Sequence, residues 1–365
     1  MIKLMKTSIP CFLISAFLLI PRLELLSKPA GDVIGWGDNL SGQVTGVPSG
    51  YNATTGIVMV AGQTLTNIMA VSVGGGYSLG LASDGTVFGW GDNCRGKSIG
   101  ITNEYPYRAS GQVTVGGKPL TDVEAIAAGR THSIALKNDG TVATWGTIYS
   151  GKPSSVPLDL SNVVAIAAGE HGSLVLKNDG TVEGWDMWIP PTRYKISVED
   201  RQVPEGLSNI VAIAAAPGFF ANNLALTKDG TVKEWRSLSR ATLVDVAGLS
   251  NVVAIAAGDG YGLALKRNGT VAAWSDHESL VPPVPTGLTN VVAIAAGGNS
   301  GPPAPNTFAL ALKNDGTVVA WGQMNLHPAT VPEGLSNVVA IAAGDNFCLA
   351  ITTNSAVAER FKRKN

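Results

Sequence analysis

Catalysis or metal binding in this chain would have to be built from four histidines, three cysteines and a scatter of acids in turns. His132 and His171 hold similar places in successive copies of a repeated phrase, so folding can bring them near each other. His277 and His327 stand in outer connections. Two imidazoles without a third ligand fall short of a zinc site, which takes four protein ligands when structural and three when catalytic. Beyond the amino-terminal segment only Cys94 and Cys348 remain, with neither metal-ligand spacing nor the makings of a disulfide framework. Asp259 and Asp345 enter turns corresponding to that of Glu170, a pattern that solvated turns produce as readily as a carboxylate pair, and a pair would require proximity and shifted titration. No GxGxxG or GxxxxGK[ST] joins a strand to a helix, and no GxSxG elbow leads into a helix. No catalytic, cofactor-binding or metal-binding residue is therefore assigned, and no cofactor is expected.

A second group of side chains suits recognition better than reaction. Trp188, Arg193 and Tyr194 stand beside Pro190 and Pro191 in an insertion after Trp185, with Glu199 and Asp200 adding the opposite charge. Tyr105, Tyr107 and Arg108 repeat the theme after Trp90. Aromatic residues and arginine are enriched where partners bind, although in loops they also pin the chain to its own domain. These six are the candidate partner-binding residues.

What must position them is a repeated unit. SIALKNDGTVATWG at 133–146 returns as SLVLKNDGTVEGW at 173–185, NLALTKDGTVKEW at 223–235 and FALALKNDGTVVAWG at 308–322. Each unit opens with an AIAAG-like phrase, and seven of these begin at Ala70, Ala125, Ala165, Ala212, Ala254, Ala293 and Ala340. Their spacing of roughly 40 to 55 residues is that of four-stranded propeller blades, which cannot bury both faces without neighbours. The Asp-Gly pairs from Asp84-Gly85 to Asp315-Gly316 signal hairpins in which both turn residues take positive φ. One tryptophan recurs per unit, at Trp36, Trp90, Trp145, Trp185, Trp235, Trp274 and Trp321, and reads as a structural wedge between blades. The last unit lacks both the Asp-Gly turn and the tryptophan, whereas GDVIGWG at 31–37 is a third strand without a first or second. The expected fold is thus all-β, a seven-bladed β-propeller closed by an amino-terminal strand, with Ala356 to Phe361 as the competing source of that strand. With strands lettered A to D from the axis outward, the A–B turns and C–D loops open on one face. The insertions after Trp36, Trp90 and Trp185, and GNSGPPAPNT in the sixth unit, all lengthen that face.

Composition narrows the partner. A formal net charge of -1 offers no broad attraction to phosphate backbones, so nucleic acid is not expected. Lys3 and Lys6 precede an apolar run from Ile9 to Ile20 that has signal-peptide length and is short for a membrane span. Residues 1–30 are read as a signal peptide or membrane-targeting segment, 31–361 as the propeller and 362–365 as a short basic tail. The expected location is secreted or extracytoplasmic, with membrane contact only through an uncleaved leader.

The unit VxAIAAGxxHSxALKNDGTVxxWG resembles the repeat of the regulator of chromosome condensation family over nearly all of 31–361. That resemblance implies a seven-bladed β-propeller and closure by the amino-terminal strand, but one scaffold serves many partners. Eukaryotic members include a chromatin-bound exchange factor for a small GTPase. This chain lacks the basic amino-terminal tail expected of such a member, and exchange activity is the least favoured reading. The compact units resemble bacterial exported members, among them a propeller inhibitor of β-lactamases. The functional expectation is a non-enzymatic exported module that recognises a protein through the loop face. The alternative is a carbohydrate-binding or glycan-acting propeller, with Trp188 and Tyr194 stacking on sugar and, for hydrolysis, two carboxylates about 5 to 9.5 Å apart.

Overall fold

The computed structural model describes residues 29–362 apart from 50–53, 103–106, 148–153, 171, 186–202, 217–221, 237–242, 300–305 and 325–326. The amino-terminal apolar run lies outside the described residues. Each AIAAG-like phrase forms the first strand of a sheet. These strands are Ile68–Val73, Val123–Ala128, Val163–Ala168, Ile210–Ala215, Val252–Gly258, Val291–Asn299 and Val338–Ala343. Each pairs antiparallel with the following strand, which pairs in turn with the tryptophan-bearing one. Among the described residues the seven sheets so formed have three or four strands. The second strands are the most buried: His132–Lys137 is buried except at its last residue, whereas the third strand Val271–Trp274 is half-buried throughout. Small side chains let the first strands crowd together, and each lies against the next in chain order, with Val338–Ala343 against Ile68–Val73.

The seventh sheet is assembled from both ends of the chain. Asp32–Gly37 pairs antiparallel with Phe347–Thr352, with Trp36 opposite Cys348, and Thr54–Ile57 supplies the outer strand. Ser355–Lys362, the competing source of that strand, is instead an α-helix that buries Val357, Ala358 and Phe361. Asn354 caps it by accepting from the Ala356 N–H at 3.0 Å.

The Asp-Gly hairpins differ from expectation. Only the glycine takes positive φ, as at Gly140 (81°) and Gly316 (78°), while the aspartates do not. Gly140 N–H donates to Lys137 O and Lys137 N–H to Thr141 O, so the loop holds three residues, a turn followed by one left-handed residue. The aspartate serves as acceptor instead: Asp139 Oδ1 takes Thr141 N–H at 2.9 Å and its hydroxyl at 2.6 Å, and Asp179 and Asp315 repeat the arrangement. These bonds hold the three carboxyls below the usual range, with the threonine hydroxyl the largest cause.

A left-handed asparagine or aspartate precedes every first strand: Asn67, Asp122, Asn162, Asn209, Asn251, Asn290 and Asn337, with φ between 52° and 61°. The carbonyl of each accepts the N–H of the residue following the second strand of its sheet. This pins the crossover from the preceding sheet to the same end of every hairpin. Tryptophans then fill the spaces between sheets. Trp90 packs with Leu349 and Ile351 of the seventh sheet, Trp145 with Leu79 and Val87 of the first, and Trp235 with Leu174 and Leu176 of the third. Trp36 and Trp321 are also buried, whereas Trp185 and Trp274 are half-buried.

Candidate functional site

Two of the four insertions are well described and share one design. After Trp36, the Asn39 side chain donates to Val47 O, Thr45 Oγ1 and Ser49 Oγ and accepts from Val44 N–H, all at 2.9 Å. After Trp90, the Asn93 side chain donates to Ile101 O at 2.7 Å and accepts from Ser98 N–H and its hydroxyl. Both asparagines are 0% exposed, so the loops are built around buried amides rather than held by surface contacts. Their equivalent residues Val47 and Ile101 project into solvent at 56% and 52% exposure.

The same loops stitch neighbouring sheets. Gln43 O accepts from Ser78 Oγ and Trp90 Nε1, each at 2.9 Å, and Lys97 O accepts from Ser133 Oγ at 2.8 Å. Lys97 itself turns inward: its Nζ lies 2.7 Å from Asp92 Oδ2 and 2.7 Å from Gly75 O, with Tyr77's ring centroid 5.3 Å away. The loop after Trp90 therefore touches the first A–B turn, which places C–D loop and A–B turn on one face there.

Sequence reading named six partner residues, and the structure describes two. Tyr107 is 41% exposed with φ of 37°, and its carbonyl accepts the Asn93 N–H. Arg108 opens the outer strand Arg108–Gln112, so residues assigned to the loop belong to a fourth strand paired with Val87–Asp92. Tyr105, Trp188, Arg193 and Tyr194 lie outside the described residues. In the sixth unit, Asn299 pairs with Asn306, which makes the flanks of that insertion a prolonged hairpin. Sequence reading missed Val47 and Ile101. The signal was the parallel DNLSGQVTGV and DNCRGKSIGI, whose matching aliphatic ends stand at one offset from the asparagine.

Toward the axis, the A–B turns form a ladder from one sheet to the next. Gly75 N–H donates to Gly129 O, Arg130 N–H to Gly169 O, Glu170 N–H to Ala216 O and Gly298 N–H to Gly344 O. Below lies a cavity of about 60 Å³ lined from all seven first strands, mainly by alanines such as Ala127, Ala167, Ala215, Ala257, Ala296 and Ala342. Charge gathers at its mouth. Arg130 Nη1 lies 3.4 Å from Glu170 Oε2, a carboxylate 2% exposed. Burial pushes Glu170 up to about 7 against the pull of Arg130, and Asp345 and Asp259 add to the rise. Asp345 is pushed up to about 6, again chiefly by burial. His132 is buried, its Nε2 2.9 Å from Ser173 Oγ, and burial lowers it to about 4, so it stays neutral. His171 lies outside the described residues. Cys348 is buried and its thiol is pushed well up, while Cys94 is half-buried. Among the described residues no three histidine, cysteine or acidic side chains are grouped to hold a metal ion.

Similarity to known proteins follows the same units. The model of the Regulator of chromosome condensation (RCC1) repeat matches residues 69–97 and 123–147, the first and second units with their turns and tryptophans. It is an RCC1-like repeat protein. The RCC1-like chain is 41% identical over 87 residues to human "Probable E3 ubiquitin-protein ligase HERC3", covering 23% of this chain and 8% of that protein. It is 36% identical over 125 residues to human "Probable E3 ubiquitin-protein ligase HERC6", covering 33% and 12%. It thus spans only a small part of these curated relatives. Among solved structures, Prp20p from Saccharomyces cerevisiae superposes with a TM-score of 0.69 at 17% identity over 95% of this chain and 98% of that one. Human WBSCR16 gives 0.62 at 16% identity, over 88% and 100%. These likenesses show the fold, an all-β propeller of RCC1 type.

Proposed function

We propose that this protein is a non-enzymatic, seven-bladed propeller that recognises a protein partner through the face carrying its C–D loops. The observation that carries the reading is the pair Val47 and Ile101: two adjacent loops hold an aliphatic side chain in solvent on carbonyls fixed by buried asparagines. A preorganised apolar projection loses little entropy on docking, which favours recognition by a protein surface. Seven blades are supported by the seven sheets, and closure by the pairing of Asp32–Gly37 with Phe347–Thr352. Protein binding is further supported by the likeness to Prp20p, whose solved structure is described with its binding to Gsp1p and histones. Tyr107 and Arg108 join the proposed face, and Tyr105, Trp188, Arg193 and Tyr194 extend it by sequence.

The apolar leader supports export to an extracytoplasmic compartment, which amino-terminal sequencing of the protein recovered from its native host would test: a start near residue 30 is expected, and recovery from the cytoplasm with Met1 intact would overturn it. For the loop face, the purified domain and a Val47→Glu, Ile101→Glu double variant are compared by cross-linking mass spectrometry in native extract. A single protein cross-linked to the loop face of the wild type and lost in the variant is expected. The same cross-links in both would overturn the face, and retention by immobilised glycans alone would move the function to carbohydrate.

A further inference from the structure

The hairpins that join second to third strands hold aspartate before their glycine at Asp84, Asp139, Asp179, Asp229 and Asp315, but the fifth unit holds Asn268 there. Asn268-Gly269 is the only Asn-Gly pair in the chain, and Arg267 and Asn268 are exposed at the hairpin tip. The amide is held as the aspartates are. Asn268 Oδ1 takes the Thr270 N–H at 3.1 Å and the Thr270 hydroxyl at 2.7 Å, as Asp139 Oδ1 takes those of Thr141. Gly269, at φ of 78°, has no side chain to screen its own nitrogen. Attack on an amide carbon puts negative charge on the amide oxygen, and donors already aimed at that oxygen stabilise the charge as it develops. Thr270 supplies two such donors to Oδ1, and Lys266 and Arg267 add two cations to a turn that contains no acid.

We propose that Asn268 is a site of self-modification, converted to aspartate and isoaspartate by its own backbone and water, with Thr270 activating the amide. The Gly269 nitrogen gives up its proton and bonds to Cγ of Asn268, the Cγ–Nδ2 bond breaks, and ammonia leaves with that proton. Water then opens the cyclic imide. Opening at Cγ yields aspartate, whereas opening at the main-chain carbonyl of Asn268 routes the chain through the side chain as isoaspartate. The aspartate has a place prepared, since the other five hairpins hold that residue with Oδ1 accepting the N–H of the following threonine. Isoaspartate adds a methylene to a loop closed by Lys266 N–H to Thr270 O and Gly269 N–H to Lys266 O, both at 2.9 Å, and so disturbs the hairpin. The second of these bonds opposes the reaction, because it must open before the nitrogen attacks. It is a single neutral bond at an exposed tip, where local opening costs least. The site lies on the face opposite the C–D loops and stands whether or not those loops bind a partner.

The test ages the folded protein in mildly alkaline buffer and follows fragments containing Asn268 by mass spectrometry, with fragmentation that separates aspartate from isoaspartate. Wild type, Thr270→Val and Thr270→Ser are compared, each beside a synthetic peptide of residues 264–272 with the same change. Both products are expected at Asn268, and in the folded protein Thr270→Val should slow their formation by about threefold or more while Thr270→Ser restores it. The peptides should differ little, because an unfolded chain does not hold the donors on Oδ1. An Asn268 that stays intact in the folded wild type while the peptide converts would overturn the site, a result that needs no variant to fold. Equal rates in folded wild type and Thr270→Val would overturn the activating role of Thr270. A faster rate in Thr270→Val would overturn it too, since the threonine would then restrain the amide.

Discussion

Glu170 carries the sharpest residue-scale consequence. Its carboxyl titrates at about 7 in the fold against 4.5 when unperturbed, because burial penalises the anion more than Arg130 favours it. Between those values the folded chain holds more protons than the unfolded one, so this group's contribution to stability declines as pH rises through the window. Asp345, raised to about 6 from 3.8, acts with the same sign. His132 acts oppositely: lowered to about 4 from 6.5, it contributes stability that is complete above pH 6.5 and lost as pH falls toward 4. Glu170→Gln should therefore raise stability at pH 8 by about 2 kcal/mol and change it little at pH 4, as measured by urea unfolding at both values. A destabilisation at pH 8 would mean that the Arg130 pair outweighs burial.

At the scale of elements, the crossovers depend on one backbone state used seven times. An ordinary side chain in the left-handed region costs about 1–2 kcal/mol, a penalty that asparagine and glycine largely escape. Asn337→Ala, at φ of 52°, should thus cost about 1 kcal/mol in thermal or urea unfolding, whereas Asn337→Gly should stay within a few tenths. The loops after Trp36 and Trp90 rest instead on one buried amide each. Asn93→Ala leaves Ile101 O and the Ser98 and Ile99 N–H groups without their partner, so hydrogen exchange across 94–101 should accelerate with a cost of about 2 kcal/mol. Loss of protection across distant strands instead would show that the amide supports the sheet rather than its loop.

For the whole molecule, the decisive element is Asp32–Gly37, which fills the space between Phe347–Thr352 and Thr54–Ile57. Removing residues 29–37 would expose two strand edges and the pocket of Trp36, and open edges invite association. Such a truncation should lower the melting temperature by more than about 10 °C or form aggregates on size exclusion, a large effect because one strand completes a sheet that both neighbouring sheets pack against. A truncated monomer with unchanged melting would show that Ser355–Lys362 and the remaining strands suffice.

Local chemistry made the strands and turns legible in the sequence. Alternating small and branched residues, a glycine at each hairpin and one tryptophan per copy determine hydrogen-bonded units of fixed order, since each signal acts over a few neighbouring residues. The same proximity made the incomplete last unit readable as a partner for GDVIGWG. Tertiary structure decided what depends on residues far apart in the chain. It made a helix of 355–362, where a short amphipathic stretch fits either state until it meets the buried face of the seventh sheet. It folded Arg108–Gln112 into a strand, because pairing with Val87–Asp92 satisfies backbone that a loop would leave to water. It gathered Arg130, Glu170, Asp259 and Asp345, spread over more than two hundred residues, onto one rim, because a ring of repeats brings equivalent turns together however distant they are in sequence.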